Sequence, residues 1–176
     1  MAVHATEAEV HIVPYDLAWP SQFEAERKEL LIALAPWLVG SIEHVGSTAV
    51  LGLAAKPVID IMAGVESLDT SRGAIDALAK LEYQYFPYRP DVMHWFCKPS
   101  PSFRTHHLHV IPYGGDLWKE RIVFRDCLRS NQAVADEYAK LKRHLATVHR
   151  LDREAYTEAK GPFVTEVLRR CMKGVA

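Results

Sequence analysis

Hydrophobic and polar positions change period along the chain, and the changes mark its elements. In "WPSQFEAERKELLIALAPWL" the apolar residues Phe23, Leu30, Leu31 and Leu34 recur on one helical face, with Ser21 and Glu24 at capping-box spacing and Pro36 as the stop. A short strand-like stretch runs from Ser41 to Val45. "KPVIDIMAGV" alternates, so a strand there puts Val58, Asp60 and Met62 on one face and Ile59, Ile61 and Ala63 on the other. "DTSRGAIDALAKL" predicts a helix capped by Thr70 or Ser71, with Ile75, Leu78 and Ala79 turned inward. Residues 83–104 carry four prolines and read as strands joined by irregular loops. Their aromatics Tyr83, Tyr85, Phe86, Tyr88, Trp95 and Phe96 read mostly as core, with a base-stacking wall as the alternative. "HHLHVIPYGG" is a strand ending at a turn.

Beyond Gly115 a helical period takes over, with helices expected around 117–130, 132–149 and 153–172. Tyr138, Leu141, Leu145 and Val148 form the apolar stripe of the middle one. Gly161-Pro162 should kink or break the last, because proline removes a helix hydrogen bond and clashes with the preceding turn. Mixed α/β elements followed by helices predict a single domain over 1–176 of the α/β (α+β) class. Its expected form is a small mixed β-sheet flanked by helices, with a helical C-terminal third.

No apolar run approaches the length of a membrane span, and "MAVHATEAEVHIVPYD" lacks the basic region and apolar core of a signal peptide. Cys97, Cys127 and Cys171 fit no disulfide framework or zinc spacing, so reduced thiols and a cytoplasmic location are expected. Charge is unevenly spread. Residues 1–116 hold 8 Lys/Arg against 14 Asp/Glu, and residues 117–176 hold 13 against 8. The basic half is either a source of phosphate contacts or a solvated helical surface. Its cations are interleaved with acids rather than clustered, so nucleic acid is not an expected partner.

The densest chemistry lies in "IEHVGSTAVLGLAAKPVIDI". Gly46 after a strand permits a sharp turn and close approach of a ligand, and Ser47 offers a hydroxyl and a backbone N–H to an anionic oxygen. Asp60 stands alone in an apolar strand, where a carboxylate must be exposed at an end, paired or bound to a cation. Together they are the parts of a metal–triphosphate site; a tight turn plus a strand-end aspartate is the plainer reading.

The chain resembles the GrpB-like family of the nucleotidyltransferase superfamily. The resemblance rests on "VPYDLAWPSQFEAE", "IEHVGSTAVLGLAAKPVIDI", "RTHHLHVIPYGGDLWKERIVFRDCLR", "EYAKLKRHLA" and "YTEAKGPF". It implies a nucleotidyltransferase-like fold, with Gly46-Ser47 as the phosphate loop, Asp60 as the first metal carboxylate and Mg²⁺-dependent nucleotidyl transfer as ancestral chemistry. The superfamily's second acid, two residues on, is Met62 here. A thioether cannot hold a hard cation.

"RTHHLHVIP" supplies the candidate replacement: in a strand His107 and His109 share a face with Ile111. Two imidazoles on one face could bind a metal together with Asp60, contact phosphate, shuttle protons, or simply be hydrogen-bonded within the sheet. The divalent metal expected is Mg²⁺ or Mn²⁺, with Zn²⁺ less suited to the rest of the site. "HLHVIP" is also similar to the histidine-triad nucleotide hydrolases, but the third histidine position is Ile111.

Lys56 and Arg104, just before the two site strands, are candidate phosphate ligands. Tyr138/Lys142 and Tyr156/Lys160 are i,i+4 pairs, so Lys142 and Lys160 either reach a phosphate held at Ser47 or pack on surface tyrosines. The expected partner is a nucleoside triphosphate or other phosphorylated small molecule. Two functions are open: metal-dependent nucleotide binding with nucleotidyl transfer to a small acceptor, or a non-catalytic nucleotide- or protein-binding domain. Domains of this family fused to dephospho-CoA kinase, for which a folding-support role is proposed, favour the second; this chain has no phosphate loop of the GxxxxGK[ST] kind.

Overall fold

The computed structural model describes residues 9–173. The expectation of no signal peptide falls partly on residues 1–8 and to that extent lies outside the described residues. Six helices and five strands follow in the order α1 (Trp19–Ala33), β1 (Leu38–Val45), β2 (Ile59–Val65), α2 (Ala74–Ala79), β3 (Gln84–Phe86), β4 (His94–Pro99), β5 (Arg104–Pro112), α3 (Asp116–Ser130), α4 (Gln132–Val148), α5 (Arg153–Ala159) and α6 (Gly161–Lys173). The last predicted helix is thus two helices that meet at Lys160 and Gly161, where the Gly-Pro pair interrupts the hydrogen-bond ladder. No helix among the described residues is long and apolar enough to cross a membrane.

The strands form one mixed sheet in the order β1-β2-β5-β4-β3. β2 and β5 pair in parallel at its centre, and all other pairs are antiparallel. Strand alternation then sorts the side chains. Ile59, Ile61 and Ala63 of β2 join Leu108 and Val110 of β5 in the main core under α1 and α2, with Phe23, Leu30 and Leu34 from above. The other face carries Met62 and Ile111, packed with Val45, Met93 and Trp118 of α3. α3 covers only part of that face. The rest is roofed by α4 and α5, and the space between them is the cavity described below.

Several local expectations change. α1 begins at Trp19, not after a Ser21–Glu24 capping box: Asp16 Oδ1 accepts from Ala18 N at 2.8 Å, and Ser21 Oγ donates to Ala18 O at 2.8 Å. Pro20, with φ already set for a helix, sits in the first turn. Leu31 is 36% exposed, while Glu26 takes the inward position and its carboxylate accepts two hydrogen bonds from Lys98 Nζ of β4, at 2.9 and 3.1 Å. α2 is shorter than predicted, with Gly73 rather than Thr70 or Ser71 at its start. Ser71 Oγ instead donates to Ser67 O, and Ala74 rather than Ala79 is buried. Val148 is exposed, so the stripe on α4 ends at Leu145.

The cysteines are also a correction. Cys127 of α3 is bonded to Cys171 of α6, with Cα atoms 6.3 Å apart, and Cys97 is the buried free thiol. The partners lie 44 residues apart, and only the packing of α3 on α6 brings them together.

The two neighbouring leucines test which face of α1 is buried. Leu30→Ala is expected to destabilise the protein by roughly 2–5 kcal/mol, against about 0.5 kcal/mol or less for Leu31→Ala. Urea unfolding of both variants measures the difference, and equal costs would contradict the assigned face.

Candidate functional site

The site begins with register. In the parallel β2–β5 pair Asp60 lies opposite His107 and Met62 opposite His109, so the carboxylate and both imidazoles leave the sheet on one face. His107 Nδ1 lies 3.0 Å from Asp60 Oδ1, and His109 Nε2 lies 4.0 Å from the same oxygen. Burial alone would raise the Asp60 carboxyl, but its contacts with His107 and His109 hold it well below the usual carboxylate range. With Asp60 ionised, the Nδ1–H of His107 donates to it. Burial lowers the pKa of His107, and lowers that of His109 to about 3, helped by Arg121. His109 is therefore neutral near pH 7.

On the neighbouring strand β1, Val45 pairs with Asp60, and the chain then turns at Gly46 with φ +71° and ψ −169°. This backbone region is essentially reserved for glycine. A Cβ here would also fall 2.5 Å from Asp60 Oδ2. Ser47 opens a single 3₁₀ turn, Ser47–Ala49. The turn is pinned from two sides. His44 Nε2 is 2.9 Å from Thr48 Oγ1 while its ring stacks on Phe23, and burial lowers its pKa to about 4. From α3, Arg129 Nε donates to Ala49 O at 2.9 Å, and Arg125 donates to Glu43 Oε2 at 2.8 Å and to His44 O at 3.2 Å.

A cavity of about 1140 Å³ opens over this centre, lined by Gly46, Ser47, Asp60, His107 and His109. Lys56, Lys142 and Lys160 line one side of it. Lys142 is 2% exposed, donates Nζ to Ala54 O, and lies 4.7 Å from the Tyr138 ring centroid. Lys56 and Lys160 flank the buried Tyr156 ring at 4.9 and 4.4 Å. Burial, then the neighbouring Lys160, lowers Lys56 to about 7; the same two causes bring Lys142 to about 7, and burial brings Lys160 to about 8. The Asp60 carboxylate opposes these shifts on all three lysines. The other acids lining the cavity are Glu9 and the exposed Asp152, Glu154 and Glu158.

The residues proposed from the sequence to bind phosphate or metal all line this cavity, Arg104 included; its guanidinium sits 5.5 Å from the Trp95 ring centroid and its Nε donates to Pro101 O. The aromatic group divides. Tyr83 and Phe96 belong to the core with Tyr85 against them, whereas Phe86, Tyr88 and Trp95 line the cavity. Met62 is fully buried among apolar side chains and does not line the cavity. Sequence reasoning missed Arg121, Arg125 and Arg129. Their signal was present as a four-residue repeat along α3, which puts three guanidinium groups on one helix face.

Among the described residues no group of three or more His, Cys, Asp or Glu is placed to hold a metal ion, and Asp60 Oδ1 is already hydrogen-bonded to His107. Asp60 is the hard oxygen donor here, and His107 Nε2, across the ring from its bond to Asp60, is buried without a hydrogen-bond partner among the described residues.

Comparison with known proteins adds family and fold. The family model described as GrpB protein matches residues 9–170. A UPF0157 protein of Pseudomonas aeruginosa is 39% identical, covering 96% of this chain and 70% of its own. The crystal structure of conserved protein GrpB from Enterococcus faecalis superposes with a TM-score of 0.84 at 30% identity, over 94% of this chain and 99% of that one. A cytoplasmic RNA terminal U-transferase superposes with a TM-score of 0.51 at 12% identity, over 78% and 43% of the two chains, a likeness of fold alone. A dephospho-CoA kinase of Mycolicibacterium paratuberculosis is 26% identical over 93% of this chain and 46% of its own.

Gly46→Ala tests the link between the turn and the carboxylate. Forcing a side chain into this backbone region is expected to cost about 1–3 kcal/mol in thermal or urea unfolding. A variant as stable as the parent would show that the turn does not need glycine.

Proposed function

Because the chain belongs to the GrpB family and has a nucleotidyltransferase-like fold, we propose that its cavity binds a nucleoside triphosphate by the phosphate arm. One observation carries this reading: Lys56, Lys142 and Lys160 line a single cavity, all with pKa values lowered by burial. Lys142 is buried and Lys56 and Lys160 are half-buried; cations drawn out of water are costly unless paired, and Asp60 cannot neutralise three. A polyphosphate supplies the missing negative charge. Ser47 and the N–H groups of its turn are the neutral donors for the phosphate nearest Asp60.

A divalent metal enters this proposal with the ligand. Mg²⁺ or Mn²⁺ carried on the triphosphate would take most of its oxygen ligands from phosphate, with Asp60 as the protein's share. The two imidazoles are more suited to Zn²⁺, and His107 keeps Nε2 free while Nδ1 bonds the carboxylate, but no group of three metal-ligating side chains stands there among the described residues. Met62 supports binding over catalysis, because the position of a second acid is sealed in an apolar cluster. The match to a dephospho-CoA kinase supports the second reading, a binding domain that serves a protein partner. Nucleotidyl transfer to a small acceptor remains the catalytic form of the first.

Calorimetry with ATP, in EDTA and with Mg²⁺ or Mn²⁺, tests the proposal. Lys160→Gln and Lys56→Gln are each expected to weaken binding about tenfold or more, the scale of a lost hydrogen bond to a charged group. Unchanged affinity in both variants would remove the reading.

The same lysines predict opposite pH trends for affinity and stability. Bound phosphate favours their charged forms, so affinity should fall as pH rises through about 7 to 8. In the free protein the folded pKa values lie below the ordinary 10.5, so above about 7 the unfolded chain holds more protons. Stability without ligand should therefore rise with pH from about 7 towards 10.5 from these groups. The groups acting on them besides each other are Asp60, Arg104, Arg143 and Arg153. Calorimetry and unfolding across this range measure both trends, and a flat affinity profile contradicts the lysine assignment.

A further inference from the structure

The cavity is larger than the roughly 300–1,000 Å³ typical of one small-molecule site, and its composition changes across Asp60. Lysines and tyrosines of α4 and α5 with Lys56 make one part. The other contains Arg121 of α3, Arg89 and the rings of Phe86, Tyr88 and Trp95. Arg121 differs from its two neighbours on the same helix face. Arg125 is satisfied by Glu43, Asp126 and the His44 carbonyl, and Arg129 by the Ala49 carbonyl. Arg121 Nε is buried without a hydrogen-bond acceptor among the described residues, and no ion pair of Arg121 occurs among them. Asp60, Glu120 and Tyr88 act on it only through space, while Arg89 adds a like charge.

We propose that Arg121 is the anchor of a second anion subsite, which takes the carboxylate or phosphate of a small molecule other than the nucleotide and packs that molecule against Phe86, Tyr88 and Trp95. A guanidinium presents donors in a fork that matches two oxygens of either group, and aromatic walls favour a ligand with an apolar or planar body. A half-buried arginine whose buried Nε lacks a protein acceptor is most simply completed by a ligand's oxygens. The proposal rests on the lysine part of the cavity being the polyphosphate site. It adds a chemical class for the second molecule: an acid.

The test uses pyrophosphate as the probe of the lysine part. With the protein saturated in pyrophosphate, calorimetric titration of inorganic phosphate, and separately of succinate, is expected to show one further equivalent for at least one of the two. Which anion binds identifies phosphate or carboxylate as the recognised group. Arg121→Gln should weaken that second equivalent about tenfold or more and leave pyrophosphate affinity within about twofold. Lys160→Gln should do the reverse. Arg121→Lys keeps the charge but not the fork and should fall between parent and Arg121→Gln, which keeps the test usable should the glutamine variant unfold. No second equivalent, or one indifferent to Arg121, overturns the subsite. Loss of ATP and pyrophosphate binding at Arg121→Gln equal to that at Lys160→Gln also overturns it, because one ligand would then span both parts. Failure of pyrophosphate to depend on Lys160, with the Arg121-dependent equivalent retained, would instead overturn the nucleotide reading.

Discussion

The parallel pairing of β2 with β5 is the constraint on which the rest of the site depends. It sets Asp60 beside His107 and Met62 beside His109, and in the same stroke sends Ile59, Ile61, Leu108 and Val110 into the core under α1. Strand alternation has period two, so a shift of one residue in either strand would expose its core residues and bury its polar ones. The apolar face thus enforces the register that brings acid and imidazole into contact. The hydrophobic core and the chemistry are two readings of one hydrogen-bond ladder, and neither can be altered alone.

Around that ladder the helices divide the labour through charge. α3 spends Arg125 and Arg129 on holding β1 and the Ser47 turn in place. α4 and α5 instead bring lysines inward over aromatic rings, where burial favours their neutral forms. Stability alone does not explain such an arrangement, since an apolar replacement of the same volume would avoid the desolvation cost. On the proposed reading the lysine part of the cavity receives a polyanion, and its ammonium groups gain protons as the polyanion enters. The cation–π contacts keep the lysine stems ordered beforehand, which lowers the conformational cost of binding.

Much of this was legible in the chain because it is written in short periods. Alternation alone assigned Asp60, His107 and His109 to strand faces, and the i,i+4 spacing alone put Lys142 with Tyr138 and Lys160 with Tyr156. Features that depend on how distant elements pack were not legible. The Arg121, Arg125 and Arg129 repeat was visible as spacing, yet which of the three would hold β1 and which would face the cavity is decided by the seating of α3 on the sheet. The division of the aromatics follows the β3–β4 pairing, which puts Tyr85 opposite Phe96 and Phe86 opposite Trp95 on alternating faces. The Cys127–Cys171 pair is a contact between helices 44 residues apart. The capping-box reading of α1 failed for a local reason: Asp16 and Pro20 together start the helix earlier than Ser21 can.

Met62 brings these threads together. A carboxylate at that position would stand on the face of β2 now closed by Val45, Met93, Ile111 and Trp118, where desolvation by the apolar cluster opposes its charge. The apolar packing that seats α3 therefore excludes the second acid. In exchange, α3 is held close enough for Arg125 and Arg129 to fix the end of β1 and the Ser47 turn and for Arg121 to line the cavity. The site presents one acid, held ionised by its histidine contacts, among lysines and arginines that line the same cavity. On the proposed reading, such a centre would act by attracting and orienting anions through the lysines and Arg121.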